Sequence, residues 1–379
     1  MCRVTWRGRT SSGRAETRAA AMNRKLRSYL RRRGVTPDEM ARAQREGRLL
    51  LLAVDHQLMP GRPRYTFAEA CRRASFDVET AKRLWRALGF PDAPPEERLF
   101  RDEDVETIIT MRQQIESTIV PVGENYVQLV QIVRVVAGSL AKIAEVESDA
   151  LASAVRERRQ KGVSDEEIAM QLINSLDWSR LSRLIDYVLR LQLRATARRK
   201  LTAGDPQATG AEDLAVGFVD LVGYTALSQE LDAEDLGALV TRFEELAYDT
   251  VAEHGGRVVK TIGDEVMFVA GDAASAARIA LRLSERSAVD EVLPDARAGL
   301  AYGTVLAQEG DYYGPVVNLA SRLVEIARPG SVLTSSELRE ALAHDPSFIW
   351  QRLRSRRIRD IGRTEIWALE HAEEHVAEA

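Results

Sequence analysis

The sequence predicts a chain of two parts, an all-helical domain followed by an α+β domain. Residues 22–195 have apolar side chains mainly at the three- and four-residue spacing of amphipathic helices. From residue 213 onward, short β-branched runs alternate with helical segments. Between these regions, residues 202–210 are rich in Gly, Pro, Thr and Ala, which is typical of a linker.

The first segment, residues 1–21, is basic and rich in Arg, Ser, Gly and Ala. It has no apolar core, so a secretory signal is excluded and a disordered basic N-terminus is expected. The longest apolar stretch, residues 127–146, is interrupted by Gln, Arg and Lys and is too polar to span a bilayer. The only cysteines are Cys2 and Cys71, which predicts a reducing compartment. We therefore expect a soluble cytoplasmic protein, and association with a membrane surface stays open.

The helical domain, residues 22–195, has clear helix starts. Its predicted starts share a capping side chain ahead of apolar positions at helical spacing: Thr36, Thr66, Asp77 and Ser164. Longer helices are predicted over 102–116 and 124–159. Residues 178–200 form a further amphipathic pattern with one apolar stripe and a basic end. This pattern runs into residues 196–212, which we interpret as a linker that transmits signals.

The second domain is predicted over residues 213–370, and residues 371–379 are predicted to be a disordered tail. Its predicted strands and helices follow in the order strand 214–219, helix 232–253, hairpin 257–262 and 266–269, helix 273–287, strand 297–306, helix 315–327 and strands near 331–334 and 357–368. This order suits a sheet with helices on one face.

Two aspartates in this domain lie where metal ligands are expected. Asp220 and Asp264 each end a short strand-like run at the start of a turn. Carboxylate oxygens at neighbouring strand ends suit Mg²⁺ or Mn²⁺, and a metal pair suits phosphoryl chemistry. The alternative interpretation is that each aspartate only caps a turn.

Together with residues 311–322, these motifs resemble the class III adenylate cyclases over about residues 213–370. The resemblance implies a ferredoxin-like catalytic domain that converts ATP to 3′,5′-cyclic AMP and pyrophosphate. It also implies that Asp220 and Asp264 hold two ions, Mg²⁺ or Mn²⁺, in each active site. A rival family with a related fold, the diguanylate cyclases, matches the turn at Asp264 only superficially.

The same resemblance implies roles for further residues. Lys260 and Asp311 would read the adenine base, and Arg297 would contact a phosphate. Asn318 would orient the ribose, and Arg322 would neutralise charge at the reacting phosphorus. The pairing of an ammonium with a carboxylate matches the N1 acceptor and the amino donor of adenine, whereas guanine presents the opposite pattern.

The turn after Asp220 is a candidate site for the terminal phosphates. Gly223, Tyr224 and Thr225 lead into a helix, where free backbone N–H groups bind anions. The resemblance further implies that each active site is composite. The aspartates and Arg297 would come from one subunit and the other residues from its twin, so a homodimer with two sites is expected.

The function of the helical domain is less specified. Residues 65–105 resemble the winged helix-turn-helix of mercury-resistance-type regulators, so one alternative is a DNA-binding regulator with a nucleotide-sensing, cyclase-like domain. The overall layout resembles actinobacterial cyclases whose helical domain regulates catalysis, and this is the preferred interpretation. Nucleic acid is then not the expected partner, and the signal stays open among a small molecule, a lipid and a proton.

Overall fold

The computed structural model describes residues 24–117, 127–175, 177–202, 211–359 and 361–372. They fall into two compact units, one before Gly204 and one from Gly204 onward. The basic segment 1–21 and most of the predicted tail lie outside the described residues. His371, which the sequence analysis assigned to the tail, is the last residue of a strand. The predicted domain boundaries remain predictions.

The first unit is helical. Its described helices are α1 (24–32), α2 (Pro37–Arg45), α3 (Leu49–Leu58), α4 (Phe67–Arg73), α5 (Val78–Ala87), α6 (Asp102–Ser117), α7 (Val127–Gln160), α8 (Asp165–Ser175) and α9 (Trp178–Thr202). The helix starts at Thr36, Thr66 and Asp77 are confirmed, since each side chain accepts a backbone N–H three residues on. Because α9 continues to Thr202, part of the predicted linker is helical.

Two small cores stabilise this unit. The first lies among α1, α2, α3 and α8, around the fully buried Leu26 and Leu30. The second lies among α4, α5 and α6, where Phe67 packs edge-on against Phe100. By contrast, the apolar stripe of α9 is largely exposed, and Leu184 keeps 58% of its surface accessible. No helix in the described part of the chain is both long enough and apolar enough to cross a bilayer.

The second unit is an α+β domain. Its strands are β1 (Ala211–Leu221), β2 (Arg257–Ile262), β3 (Glu265–Ala270), β4 (Ala296–Gln308), β5 (Asp311–Tyr313), β6 (Val332–Thr334), β7 (Phe348–Arg352), β8 (Arg356–Ile358), β9 (Gly362–Thr364) and β10 (Trp367–His371). Its helices are α10 (Tyr224–Glu230), α11 (Ala233–Glu253), α12 (Ala273–Ala288), α13 (Pro315–Ile326) and α14 (Ser336–Ala341). The strand predicted over 357–368 is wrong as a single strand, since this stretch contains β8, β9 and the start of β10, and Gly362, the first residue of β9, has a φ of 105°.

The main sheet has the strand order β2-β3-β1-β4-β6-β10-β7, and β5 pairs with the outer end of β4. Alternate residues of β1 point to opposite faces. Val219 packs in the core that includes α11 and α12, whereas Phe218 packs in the core that includes α13. The expectation of helices on one face is therefore wrong. Both faces of the central strands are apolar, so both need cover.

The contact of α13 with β4 is unusually close. A Cβ atom on Gly299 would lie 2.3 Å from the backbone nitrogen of Val324 and 2.4 Å from the carbonyl oxygen of Ala320. Any side chain at Gly299 would push the helix off the strand. This contact holds α13, with its Asn318 and Arg322, against the strand that contains Arg297.

Candidate active site

Asp220 lies near the end of β1, between two neighbouring strands. In the strand register it pairs with Glu265 on β3 and with Arg297 on β4. Cross-strand partners of this kind point to the same face of a sheet. Arg297 donates from Nε at 2.9 Å and from Nη2 at 2.5 Å to Oδ2 of Asp220. The predicted phosphate ligand is thus an ion-pair partner of a predicted metal ligand.

Asp264 lies in the tight turn between β2 and β3. Gly263 has a φ of 64°, a left-handed conformation that suits glycine at this turn. The backbone N–H of Leu221 donates to the carbonyl oxygen of Asp264 at 3.3 Å, which ties the turn to the end of β1. Burial, together with a hydrogen bond to the adjacent Asp220 and the charge of Asp220, raises the pKa of Asp264 to about 6. The two predicted metal ligands are therefore neighbours.

Glu265 is a third carboxylate in this cluster, and the sequence analysis did not include it. Burial, together with the charges of Asp220, Asp264 and Glu325, raises its pKa to about 7. Arg297 lowers the pKa of both Asp264 and Glu265 but does not cancel the excess negative charge. The only sequence signal was the adjacent position of Glu265 after Asp264, and recognising its role requires the register of β1 against β3.

This excess of negative charge fits a divalent cation. Among the residues described, no group of three or more His, Cys, Asp or Glu side chains is arranged to hold one metal ion. Asp220 and Asp264 would therefore need oxygens from water and from a phosphate to complete a coordination shell. Mg²⁺ commonly binds in this way, through one or two carboxylates together with substrate phosphates.

A pH dependence of stability follows from Glu265. Its raised pKa means that the metal-free folded protein holds an extra proton between pH 4.5 and about 7. Stability is then lost as the pH rises through this window. Glu265→Gln removes the free-energy cost of ionising this carboxyl in the folded protein. We therefore expect the metal-free variant to be more stable at pH 8 by about 1–2 kcal/mol after allowance for solvent screening.

Differential scanning fluorimetry in EDTA measures this effect, which corresponds to a rise in Tm of roughly 2–6 °C at pH 8 and almost none near pH 4.5. The exposed Glu291 provides the matched control, since Glu291→Gln removes a carboxylate outside the cluster. An equal rise in Tm at both pH values would contradict the assignment.

Lys260 and Asp311 form a direct ion pair, with 2.5 Å between Nζ and Oδ2. Lys260 lies on β2 and Asp311 on β5, which are not neighbours in the sheet. The other carboxylate oxygen of Asp311 accepts the N–H of Tyr312 at 2.8 Å. Arg257, also on β2, donates to the hydroxyl of Tyr312 at 2.7 Å. The two residues predicted to read the base are thus brought together by the short strand β5, which the sequence analysis did not predict.

Asn318 and Arg322 lie one turn apart on α13, as predicted from the helix start at Pro315. Arg322 forms an ion pair with Glu325, one turn further on. The carbonyl oxygen of Glu325 accepts a hydrogen bond from Nη1 of Arg297 at 3.2 Å, which places the end of α13 beside the carboxylate cluster. Oppositely charged residues three apart are a visible sequence signal, so Glu325 could have been found.

The turn residues after Asp220 lie at the start of α10. Gly223 has a φ of 79° and precedes the first turn of this helix, and no side chain caps it. Tyr224 is half-buried against the core, and Thr225 is exposed. In the part of the chain that the structure describes, no hydrogen bond or ion pair joins the Lys260–Asp311 pair to Asp220 or Asp264.

Comparison with known families identifies the second unit as the catalytic domain of a class III nucleotidyl cyclase. The family model for the adenylate cyclase regulatory domain matches residues 12–197, and that for the adenylate and guanylate cyclase catalytic domain matches residues 207–371. An adenylate cyclase of Streptomyces coelicolor is 38% identical over 293 residues, which are 77% of this chain and 75% of the relative. One from Streptomyces griseus is 36% identical over 74% of this chain and 68% of the relative.

A protein of Mycobacterium tuberculosis named pH-sensitive adenylate cyclase is 34% identical over 90% of this chain and 86% of the relative. The chain therefore belongs to the adenylate cyclase family, as a member with an N-terminal regulatory domain. The resemblance inferred from the three motifs is confirmed, and so is the predicted fold class of a helical domain followed by a cyclase domain. The roles of the individual site residues remain predictions.

Proposed function

We propose that the protein converts ATP to 3′,5′-cyclic AMP and pyrophosphate in composite sites of a homodimer, with two Mg²⁺ or Mn²⁺ ions in each site. The observation that carries this proposal is the cluster of Asp220, Asp264 and Glu265 beside Arg297. It combines excess negative charge for cations with a guanidinium for a phosphate. Membership of the adenylate cyclase family and the Lys260–Asp311 pair support ATP as the substrate.

Asp220 and Asp264 would hold the ions. When bound, such ions lower the pKa of an attacking hydroxyl and offset charge on a triphosphate. Arg297 donates twice to Oδ2 of Asp220 and leaves Oδ1 for a cation, and a phosphate oxygen would compete with Oδ2 for the guanidinium. The N–H groups at Gly223, Tyr224 and Thr225 would bind the terminal phosphates at the start of α10.

Arg322 would neutralise charge on the reacting phosphate, and Asn318 would hold the ribose so that its 3′-oxygen faces the α-phosphorus. Within one chain, Arg322 is paired with Glu325 instead. Lys260 and Asp311 are likewise paired with each other. In a homodimer, a second chain would supply these residues to the carboxylate cluster, and each group would exchange its partner within the chain for the substrate.

Base choice tests the proposed substrate. The double variant Lys260→Glu with Asp311→Cys reverses the charge that faces N1 and removes the acceptor for the amino group. We expect the ratio of kcat/KM for ATP to that for GTP to fall by at least about a hundredfold, because a buried polar mismatch discriminates strongly.

The measurement is cyclic nucleotide formation from each triphosphate with Mn²⁺. Lys161→Glu, at an exposed position just after α7, is the control for the charge change and should leave the ratio unchanged. An unaltered preference for ATP in the double variant would show that Lys260 and Asp311 do not contact the base.

We further propose that the helical unit regulates catalysis, through a small molecule, a lipid or a proton. The exposed stripe of α9 supports this, because it ends shortly before the catalytic unit along the chain. A composite site loses on the order of a hundredfold in rate with about 1 Å of displacement, so small changes in helix packing have large effects. Removal of residues 1–204 is therefore expected to change the specific activity several-fold.

Leu184→Asp in the full chain should change the activity in the same direction, whereas Ser182→Asp, on the polar side of α9, should not. The comparison is made across a pH series, because one relative is named as pH-sensitive. Equal activity of the full and the shortened chain at every pH and with each candidate ligand would contradict regulation by this unit.

A further inference from the structure

Three arginines of the helical unit line one pocket together with a tyrosine. Arg72 and Arg73 lie in the last turn of α4, and Arg98 lies in the segment that returns to this helix after α5. Together with Tyr65 and Glu69 they line a cavity with room for a small molecule, about 390 Å³. Sites for small molecules typically measure about 300–1,000 Å³. We call this cavity the arginine pocket.

Backbone pairing fixes the shape of the arginine pocket. Tyr65 and Phe100 form an antiparallel bridge, which holds the segment before α4 beside the segment after α5. Arg98 donates from Nη1 to the carbonyl oxygen of Arg64 at 2.6 Å, so its side chain is directed toward the bridge. The guanidinium of Arg73 lies over the ring of Tyr65, 4.6 Å from the ring centre. Such stacking orients a guanidinium for recognition of an oxyanion.

The charges in the arginine pocket are not balanced. Glu69 is its one acidic lining residue, and its carboxylate already accepts the backbone N–H of Thr66 at 2.9 Å. That hydrogen bond, with the charges of Arg98 and Arg72, holds the pKa of Glu69 below its ordinary value. Its distance to Nη2 of Arg98 is 3.9 Å, the limit of an ion pair. In the described parts of the chain, Arg72 and Arg73 form no salt bridge.

Other arginines of the same unit are paired with acids, as in Arg64 with Asp102 and Arg86 with Asp92. Basic residues in the last turn of α4 also favour the negative end of the helix dipole. That effect does not account for Arg98, which comes from a different segment, or for the stack of Arg73 on Tyr65. The positive charge is therefore concentrated around an open pocket whose three arginines are exposed, where an anion would bind.

We propose that the arginine pocket binds a small molecule that bears a phosphate group. Two or three guanidiniums match the tetrahedral oxygens of a phosphate through paired hydrogen bonds. The ring edge of Tyr65 would contact the bound molecule, and Glu69 would keep its hydrogen bond to the backbone N–H of Thr66. The phosphate could belong to a free metabolite or to the headgroup of a lipid. Binding at the arginine pocket does not depend on the proposed cyclase reaction. Only an effect of the bound molecule on catalysis would rest on that proposed function.

The test uses full-length protein and glycerol 3-phosphate as the probe, with glycerol as the uncharged control, in isothermal titration calorimetry. We expect saturable binding by the wild type. In the double variant Arg72→Gln with Arg73→Gln, the affinity should be at least about tenfold lower, because two charge-assisted contacts are lost. Arg31→Gln with Arg32→Gln makes the same charge change on exposed positions of α1 and should bind like the wild type. Circular dichroism confirms that both variants fold.

Vesicles of phosphatidylcholine with and without phosphatidylglycerol distinguish the two sources. Binding of glycerol 3-phosphate identifies a free metabolite. Binding to the anionic vesicles only, weakened by Arg72→Gln with Arg73→Gln, identifies a lipid headgroup. Equal binding by the double variant and the wild type would overturn the proposal. So would the absence of binding to either probe, or binding only to duplex DNA, which would identify a nucleic-acid surface instead.

Discussion

Asp220→Ala and Asp264→Ala are each expected to reduce cyclic AMP formation by more than about a thousandfold. Each substitution removes one of the two side chains assigned to the metal ions. The charges that remain cannot replace it, because Arg297 lies beside Asp220 and would repel a cation. Mn²⁺ binding, followed by calorimetry, should weaken in parallel with activity.

Asp213→Ala is the matched control, since Asp213 lies on the same strand β1, is exposed and bonds Thr304 rather than the cluster. It should keep most of the activity. Because Asp264 is raised in pKa by burial and by Asp220, Asp264→Ala should not lower the stability of the metal-free protein. Near wild-type turnover by either folded variant of Asp220 or Asp264 would show that the metal assignment is wrong.

A mixture of two inactive variants, Asp220→Ala and Arg322→Ala, is expected to regain about a quarter of wild-type activity. Random subunit exchange makes half of the dimers mixed, and each mixed dimer has one intact site out of two. The measurement is cyclic AMP formation after the purified variants have exchanged subunits. The gain from a near-zero baseline makes this a large effect.

Mixing Asp220→Ala with Asp264→Ala is the control. Both residues belong to the same half of the proposed site, so no arrangement of these chains restores it. Recovery in this control, or no recovery with Arg322→Ala after demonstrated exchange, would be incompatible with sites shared between chains. The first outcome would instead indicate that the two aspartates serve different sites.

Local chemistry explains which parts of the structure could be predicted. The helix starts at Thr36 and Thr66 depend on side chains within three residues, so the sequence is sufficient. The turn at Asp264 is likewise local, since Gly263 sets its conformation. Strand β5 has three residues, too few for a periodic pattern. The second helical layer was missed because the strands alternate between two apolar faces, and only the packed chain shows that α13 covers one of them.

The candidate site likewise has features that the sequence could predict and features that it could not. Asp220 and Asp264 were found because each follows a short strand-like run at the start of a turn. Asp220 and Arg297 are far apart in the sequence, and they become neighbours only because β1 pairs with β4. Glu265 could be recognised only once the same strand was paired with β3. Residue types in short motifs were therefore predictable, whereas the charge balance among them was not.

The ion pair between Arg297 and Asp220 has a consequence for how the enzyme senses its ligands. Arg297 offsets the charge of Asp220, so a cation should bind Asp220 more tightly once a phosphate has drawn the guanidinium away. Cation and nucleotide should therefore bind with positive heterotropic coupling, and by reciprocity each should raise the affinity for the other by the same factor. With either ligand scarce, the ion pair would weaken binding of the other, so the site would respond mainly when metal and nucleotide are present together.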